Sequence, residues 1–272
     1  MNGGAGVFND GTLALDQTRI ISNAATGNAG GGIRNLGSLT LDRVDVAQNL
    51  AANGAGIYND GMLAIHGSSI FDKQAANNGG GIFNAGQAQI INSAVSINHA
   101  PGFGGGIETY GTTAFTSSTV SFNQAGIGAG IHSRGDLAIV DSTVAINHAR
   151  LKGGGVTAYP DARKSVKILN STIAFNGAYS NGGDDGDGGG IYVDNGLVDM
   201  RNSLLVGNYY NGAQRSFEDC YTASAGVLRT FGVNLSTTPT AFCNIRGSLS
   251  TLNSLDFLGP LKSNGGPTHT IA

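Results

Sequence analysis

The chain has 272 residues, a formal net charge of −3 and only 12% charged residues, and 45 of its residues are glycine. This weak charge argues against nucleic acid as a partner, and no apolar run approaches the ~20 residues that a membrane-spanning helix needs. Frequent glycine combined with little charge indicates a folded chain that turns often, rather than a disordered one.

A glycine-rich phrase that ends in Ile or Val recurs along the chain with a nearly constant stride. Its last residue is Val7, Ile33, Ile57, Ile82, Ile107, Ile131, Val156 and Ile191. A second marker, an apolar pair closed by Asn, keeps the same stride through Asn23, Asn49, Asn98, Asn123, Asn147, Asn176 and Asn208, with Gln74 at the third position. Two markers in phase over eight cycles indicate one structural unit stacked on copies of itself.

Each repeat contains short β-branched runs in which apolar and polar residues alternate between glycine and asparagine turns, as from Gly128 to Asn147. This pattern predicts about three short strands per repeat, each with one buried face. Repeats of 24–25 residues stacked in parallel, about 4.8 Å apart, predict a β-helix of about eight rungs over residues 1–210. The predicted core is built of files of like residues, such as Ile82, Ile107 and Ile131, or Leu13, Leu39, Leu63, Leu137 and Leu197.

The residue after each repeat Ile or Val forms another column. It reads Phe8, Arg34, Tyr58, Phe83, Glu108, His132, Thr157 and Tyr192. If this column points outward, its aromatic members, with Tyr58 and Phe83 in the early rungs, offer a track for a glycan or a partner protein. If it points inward, the same residues are stacked core. Both interpretations stand at this point.

His99 and His148 follow the Asn column at equivalent places two rungs apart, and Gln124 lies between them. A separation of about 10 Å is too great for one shared metal ion. The sequence therefore predicts that the two histidines are turn residues.

Two insertions widen the gap between the seventh and eighth glycine markers, and the candidate site residues lie in or near them. The first insertion contains Arg163 and Lys164; the second runs from residue 177 to residue 189 and contains Asp184, Asp185 and Asp187. Insertions in repeat proteins form loops, which often carry function on a rigid scaffold. The three aspartates predict either a Ca²⁺ site or a solvated acidic loop.

Aromatic residues near these loops complete the set of candidate binding residues. Tyr179, Tyr209 and Tyr210 offer phenolic proton donors or surfaces on which sugar rings stack, and Tyr192 adds the aromatic member of the column after the repeat Ile. Together with Arg163 and Lys164 they predict a binding surface at residues 159–190. No cofactor is required by this reading, apart from the Ca²⁺ that the aspartates would hold.

The stride fades from Asn211 onward, which predicts an irregular cap over residues 211–272 that continues the solenoid. This part contains the only two cysteines, Cys220 and Cys243. They predict either one disulfide in an exported protein or two buried free thiols.

Particular segments resemble known bacterial exported proteins. Gly81-Ile82-Phe83-Asn84 and the segment from Asn170 to Asn176 resemble repeats of right-handed parallel β-helix proteins, and also chlamydial polymorphic outer membrane protein repeats. The segments 231–235 and 258–268 are similar to the choice-of-anchor Q type of surface protein, often found with the CSLREA motif. The resemblance implies a right-handed parallel β-helix, export and attachment to the cell surface. It does not imply a catalytic motif.

These features predict an exported, non-catalytic surface protein, a rigid stalk or adhesin-like module. Its expected partner is an extracellular glycan or a host or neighbouring surface protein. The alternative is an enzyme acting on polysaccharide, either a uronate lyase or a glycoside hydrolase, with its site near residues 159–190. A lyase would need a base near the sugar C5 and a cation that neutralises the uronate.

Overall fold

The computed structural model describes residues 4–160, 164–179, 188–211, 215–237, 243–252, 259, 261–263 and 269–271. Within these residues the protein is all-β, with 36 strands and no helix, so the described part holds no helix that could span a membrane. Strands one repeat apart pair in parallel along the whole coil. The predicted parallel β-helix is confirmed.

Each rung contributes its first strands to one wall of the solenoid, here wall A, and its later strands to the opposite wall B. Rungs one to three contain β1 Val7–Asn9, β2 Thr12–Asp16, β3 Arg19–Ile21, β4 Ala24–Ala29, β5 Ile33–Asn35, β6 Ser38–Asp42, β7 Asp45–Ala47, β8 Leu50–Asn53, β9 Ile57–Asn59, β10 Met62–His66 and β11 Ser69–Asn78. Rungs four to seven contain β12 Ile82–Asn84, β13 Gln87–Ile91, β14 Ala94–Phe103, β15 Ile107–Thr109, β16 Thr112–Thr116, β17 Thr119–Ser121, β18 Gln124–Ile127, β19 Ile131–Ser133, β20 Asp136–Val140, β21 Thr143–Ala145, β22 His148–Lys152, β23 Val156–Ala158, β24 Val166–Leu169, β25 Thr172–Ala174 and β26 Gly177–Ala178. The remaining strands are β27 Ile191–Arg201, β28 Leu204–Val206, β29 Tyr209–Asn211, β30 Arg215–Phe217, β31 Cys220–Phe231, β32 Leu235–Ser236, β33 Ile245–Arg246, β34 Ser250–Thr251, β35 Leu261–Ser263 and β36 His269–Ile271.

The interior consists of vertical files of apolar side chains. Ile82, Ile107 and Ile131 pair in register and are fully buried, as predicted. The leucine file is correct for its first four members, but it ends on Val198 and not on Leu197, because β24 pairs Val166 with Val198. Burial of such files, at roughly 25 cal/mol per Å² of apolar surface, is the main force that holds the rungs together.

Asparagine side chains form a second kind of file inside wall B. Where the next rung also carries an Asn, the Nδ2 group donates to its Oδ1, at 2.9 Å from Asn123 to Asn147 and again from Asn147 to Asn176. The same Nδ2 groups also donate to backbone carbonyls of the preceding rung, as Asn123 does to Val95. These bonds satisfy amide groups that would be costly to bury alone, and they confirm the predicted asparagine column.

One member of that column was assigned wrongly from the sequence. Lys73, and not Gln74, pairs with Asn98, while Gln74 pairs with His99. The lysine takes the place of the third asparagine. Gln74 therefore occupies the next position of the rung, the one that His99 holds on the following rung.

Two further polar ladders were missed in the sequence. Asn9, Asn35, Asn59 and Asn84 form a ladder in wall A with Nδ2–Oδ1 distances of 2.7 Å. Serine hydroxyls form the other ladder, in which each accepts from the backbone N–H of the preceding rung: Ser68, Ser93, Ser118, Ser142, Ser171 and Ser203. Together with the column above, these ladders fix the register of successive rungs.

The coil continues past residue 211. The long strand β31 pairs in parallel with β27, and β33 and β34 add part of another rung. Cys220 and Cys243 form a disulfide with their Cα atoms 5.9 Å apart, which decides between the two alternatives left by the sequence. The antiparallel hairpin of β35 and β36 then contacts β21 on wall B.

Candidate functional site

The column that follows each repeat Ile or Val faces outward over its first four rungs and is buried over the next four. In β9 the flanking Ile57 and Asn59 are buried and Tyr58 between them is half-buried, and the same alternation holds in β5 and β12. Strand pairing places Tyr58, Phe83 and Glu108 on successive rungs, as predicted. The outward interpretation therefore holds for the first four members of the column, whereas the last four are buried: Glu108, His132, Thr157 and Tyr192.

The aromatic members of this column stack on one another. The rings of Tyr58 and Phe83 lie 4.8 Å apart with their planes within 2°. The guanidinium of Arg34, on the rung before Tyr58, lies 5.6 Å from the centre of the Tyr58 ring. The ring of Tyr110, on the rung after Phe83, lies 5.6 Å from the ring of Phe83. A sugar ring stacks on an aromatic face, and both faces of each ring are already covered. These rings therefore stabilise the column and leave only their edges to solvent.

Further along the same surface, a carboxylate and an imidazole are buried side by side. Glu108 Oε2 and His132 Nδ1 are 2.8 Å apart, and the two side chains are 0% and 1% exposed. The contact is close but lacks hydrogen-bond geometry, so it is an ion pair only when the imidazole is protonated. Phe103 covers the imidazole at 4.8 Å. Ligand access to this pair is closed by packing.

Tyr192 is also enclosed. Lys152 Nζ donates to its hydroxyl at 3.0 Å and lies 4.8 Å from its ring centroid, and Tyr221 stacks at 5.4 Å. The hydroxyl donates to Asp194 at 3.2 Å. Burial, the largest effect, raises the pKa of Tyr192 despite the nearby lysine. This residue is a packed part of the wall.

The candidates from the insertions separate into two groups. Arg163 and the three aspartates Asp184, Asp185 and Asp187 lie outside the described residues, so the predicted Ca²⁺ site stays a prediction. Lys164 makes an ion pair with Asp136 at 3.2 Å on the surface of wall A. Burial acts to raise the pKa of Asp136, but hydrogen bonds from Ser165 and Lys164 outweigh it and lower that pKa. Among the described residues, no group of three His, Cys, Asp or Glu side chains is placed to hold a metal ion.

Wall B carries a groove that runs parallel to the solenoid axis, here the axial groove. Its floor is a column of outward side chains, one per rung: Gln74, His99, Gln124 and His148. The first three are exposed and His148 is half-buried. Three adjoining hollows of about 280, 430 and 280 Å³ share these floor residues, so the groove is continuous over rungs two to six.

One side of the groove is a ridge of turn residues just before the Asn column. Asp72, Ile97 and Phe122 line the hollows there. Ile97 has a backbone φ of +55°. Ile146, in the equivalent turn two rungs later, has a φ of +56°. A β-branched residue in this left-handed region is strained by roughly 1–3 kcal/mol. Ile97 is nevertheless 58% exposed, so core burial does not account for its presence.

The groove ends at a chain of hydrogen-bonded rings. Tyr209 Oη lies 3.0 Å from His148 Nε2, and Tyr179 Oη lies 2.8 Å from Tyr209 Oη. Tyr179, His148 and Arg150 line the same hollow as His99 and Gln124. Of the predicted binding residues that lie within the described part of the chain, Tyr179 is the one that the structure brings to this groove.

A further hollow, of about 470 Å³, lies on wall A, where Thr40, Ala64, Gln89 and Ala114 form its outward strip. Charged, imidazole and phenol groups are absent from its lining in the part of the chain that the structure describes. The axial groove is therefore the better candidate site, because it brings amide, imidazole, phenol and guanidinium groups together. Comparison of the chain with protein-family models, with curated proteins and with solved structures gave no match in any of the three.

Proposed function

We propose that the protein is an exported surface solenoid of the choice-of-anchor Q type that binds an extended glycan along the axial groove. The observation that carries this proposal is the unbroken floor of Gln74, His99, Gln124 and His148, with one polar side chain per rung. The disulfide between Cys220 and Cys243 supports export, because such bonds persist in oxidising compartments.

The chemistry of the floor suits sugar hydroxyl groups. Amide and imidazole side chains both donate and accept hydrogen bonds, as each hydroxyl does. The floor repeats at the rung spacing of about 4.8 Å, so a polymer lying along the axis meets the same kind of partner at each step. The exposed Ile97 and Phe122 on the ridge cover the apolar face of such a polymer.

The form of the groove favours a chain-like ligand over a folded protein. Hollows of about 280–430 Å³ are the size of small-ligand sites, and they follow each other in a line. A folded partner would need a broad complementary patch of about 800 Å² on each side. A stiff rod that presents such a groove fits the stalk or adhesin role expected from the sequence.

The test is a glycan array followed by calorimetry on the polymers that bind. We expect the double variant His99→Ala/Gln124→Ala to lose about fivefold to 150-fold in affinity, because it removes two neighbouring floor partners that contribute roughly 0.5–1.5 kcal/mol each. Gln89→Ala, an exposed change in the hollow on wall A, is the matched control and should bind like the wild type. Absence of binding by the wild type, or an equal loss in the control, would contradict the proposal.

A further inference from the structure

We propose that the closed end of the axial groove also cleaves its ligand, a uronate-containing polysaccharide, by β-elimination, with Tyr179 as the base. This inference rests on the proposed glycan binding and adds to it both a substrate class and a reaction. Three features support it: the hydrogen-bonded chain of rings, the missing side chain at Gly177 that lets this chain form, and the guanidinium of Arg150 in the same hollow.

The rings form a path for one proton. Tyr179 Oη and Tyr209 Oη are 2.8 Å apart, and Tyr209 Oη and His148 Nε2 are 3.0 Å apart. When Nε2 carries no proton, Tyr209 donates to it and Tyr179 donates to Tyr209. Transfer along both bonds leaves an imidazolium at His148 and a phenolate at Tyr179, which lines the groove.

The absence of a side chain at Gly177 makes this path possible. Strand pairing places Gly177 on the rung between His148 and Tyr209. The ring of Tyr209 lies over it, and a Cβ atom at Gly177 would be 2.5 Å from Tyr209 Cζ. Any other residue there would push the ring away. The floor column is thus interrupted at the one rung where the tyrosine must pass to reach the histidine.

A cation lies next to the base. Tyr179 follows Arg150 at the equivalent place one rung on, since its N–H donates to the carbonyl of Ala149 at 2.9 Å, and both side chains line the hollow with His148. A guanidinium binds a carboxylate through two parallel hydrogen bonds. Neutralising the uronate carboxylate in this way acidifies the neighbouring C5–H bond, which is the requirement for elimination.

The reaction balances without a co-reactant. The Tyr179 phenolate takes the proton from C5, the electron pair of the C5–H bond becomes the C4=C5 double bond, and the C4–O bond of the glycosidic link breaks. The phenol of Tyr179 then gives that proton to the departing oxygen. Tyr179 is the catalytic residue, Arg150 binds the carboxylate, and Tyr209 and His148 position and deprotonate the base.

The experiment follows the ultraviolet absorbance of unsaturated chain ends during incubation with galacturonate, mannuronate–guluronate and glucuronate polymers, with calorimetry on the same proteins. We expect product from the wild type, and a fall in kcat of about 10²–10⁴-fold for Tyr179→Phe with affinity changed only a few-fold. Tyr159→Phe, the same change at an exposed residue outside the groove, should keep the wild-type rate.

The variant His148→Gln tests the proton path through the pH profile of kcat, which would not change if His148 had only a structural role. Without the imidazole, the ring chain has no final proton acceptor, so the proton of Tyr179 must leave to hydroxide, whose concentration rises with pH. The pH profile of kcat should therefore shift upward while KM changes little.

The outcomes separate the two proposals. If the wild type binds a glycan and yields no unsaturated product with all three polymer types, elimination is overturned and binding stands. Full activity in Tyr179→Phe, or an unshifted pH profile in His148→Gln, also overturns it. A wild type that binds no glycan at all overturns both.

Discussion

At the scale of single residues, Lys73 is the most unusual feature of the core. Its side chain is 1% exposed, and Nζ donates to the carbonyls of Val46 and Phe71, much as Nδ2 of the column asparagines does on other rungs. It cannot offer the acceptor oxygen of an asparagine. Burial lowers its pKa to about 7, although Asp72 and Asp45 act in the opposite direction.

This lysine predicts a pH dependence of stability. Its pKa is 10.5 before folding and about 7 after it, so the unfolded chain binds more protons between these two values. The free energy of unfolding should therefore rise with pH from about 7 to 10.5, by at most about 1.4 kcal/mol per pH unit. Urea titrations across this range measure the slope.

Lys73→Asn should remove that slope and raise stability at pH 7 by a few kcal/mol, because it restores the ladder and removes a buried amine. Lys167→Asn, a change at an exposed lysine, is the control and should keep the slope. An unchanged slope in Lys73→Asn would show that the amine is not the cause.

Ile97 predicts a conflict between stability and binding. Asparagine tolerates the left-handed backbone, so Ile97→Asn should raise the free energy of unfolding by about 1 kcal/mol and weaken glycan binding several-fold. Leu151→Asn, at an exposed apolar residue with ordinary backbone angles, should give no gain in stability. Denaturant curves and calorimetry measure the two effects, and a loss of stability in Ile97→Asn would contradict the strain argument.

At the scale of elements, the floor column of the axial groove has a defined length. Gln74 and His148 lie three rungs apart, which is about 14 Å along the axis. Affinity for oligosaccharides should therefore rise with chain length until the ligand covers this distance, and then level off. A calorimetric series of increasing length tests this, and continued gain well beyond the groove would point to another surface.

The strands and their register were predictable because a slip of one residue would turn every buried side chain outward. Eight cycles of the glycine phrase fix that register, and the Ile82–Ile107–Ile131 file confirms it. The groove was not predicted, because Gln74 was assigned to the asparagine column when the buried Lys73 holds that place. If Lys73 had been assigned to the asparagine column, Gln74 would have aligned with His99, Gln124 and His148, and the floor column could have been predicted.

Spatial assembly explains the other misses. The ridge, the floor and the ring chain come from different parts of several rungs, and Tyr209 reaches His148 only because Gly177 lies between them. The spacing of the tyrosines along the chain carries no sign of this contact. The outward column, in contrast, was predicted as a column, but stacking of its rings could be seen only in the structure.

At the scale of the whole molecule, the disulfide ties β31 to the partial rung that follows it. Cys220 and Cys243 enclose a loop with a sequence separation of 23 residues. A loop of this size is expected to contribute about 3 kcal/mol, mainly by restricting the unfolded chain. Cys220→Ala/Cys243→Ala should lower the free energy of unfolding by that amount, and a reducing agent should affect the wild type but leave the double variant unchanged.

The interruption at Gly177 also has a bearing on how the binding surface can change in evolution. Each cycle upstream of it adds one floor side chain and one ridge residue on the same backbone outline. An in-frame duplication of one such cycle in the gene would lengthen the ligand's path by a single step, while the ring chain would remain its terminus. The length of the groove and the chemistry at its end are thus separable, and either can change while the other stays the same.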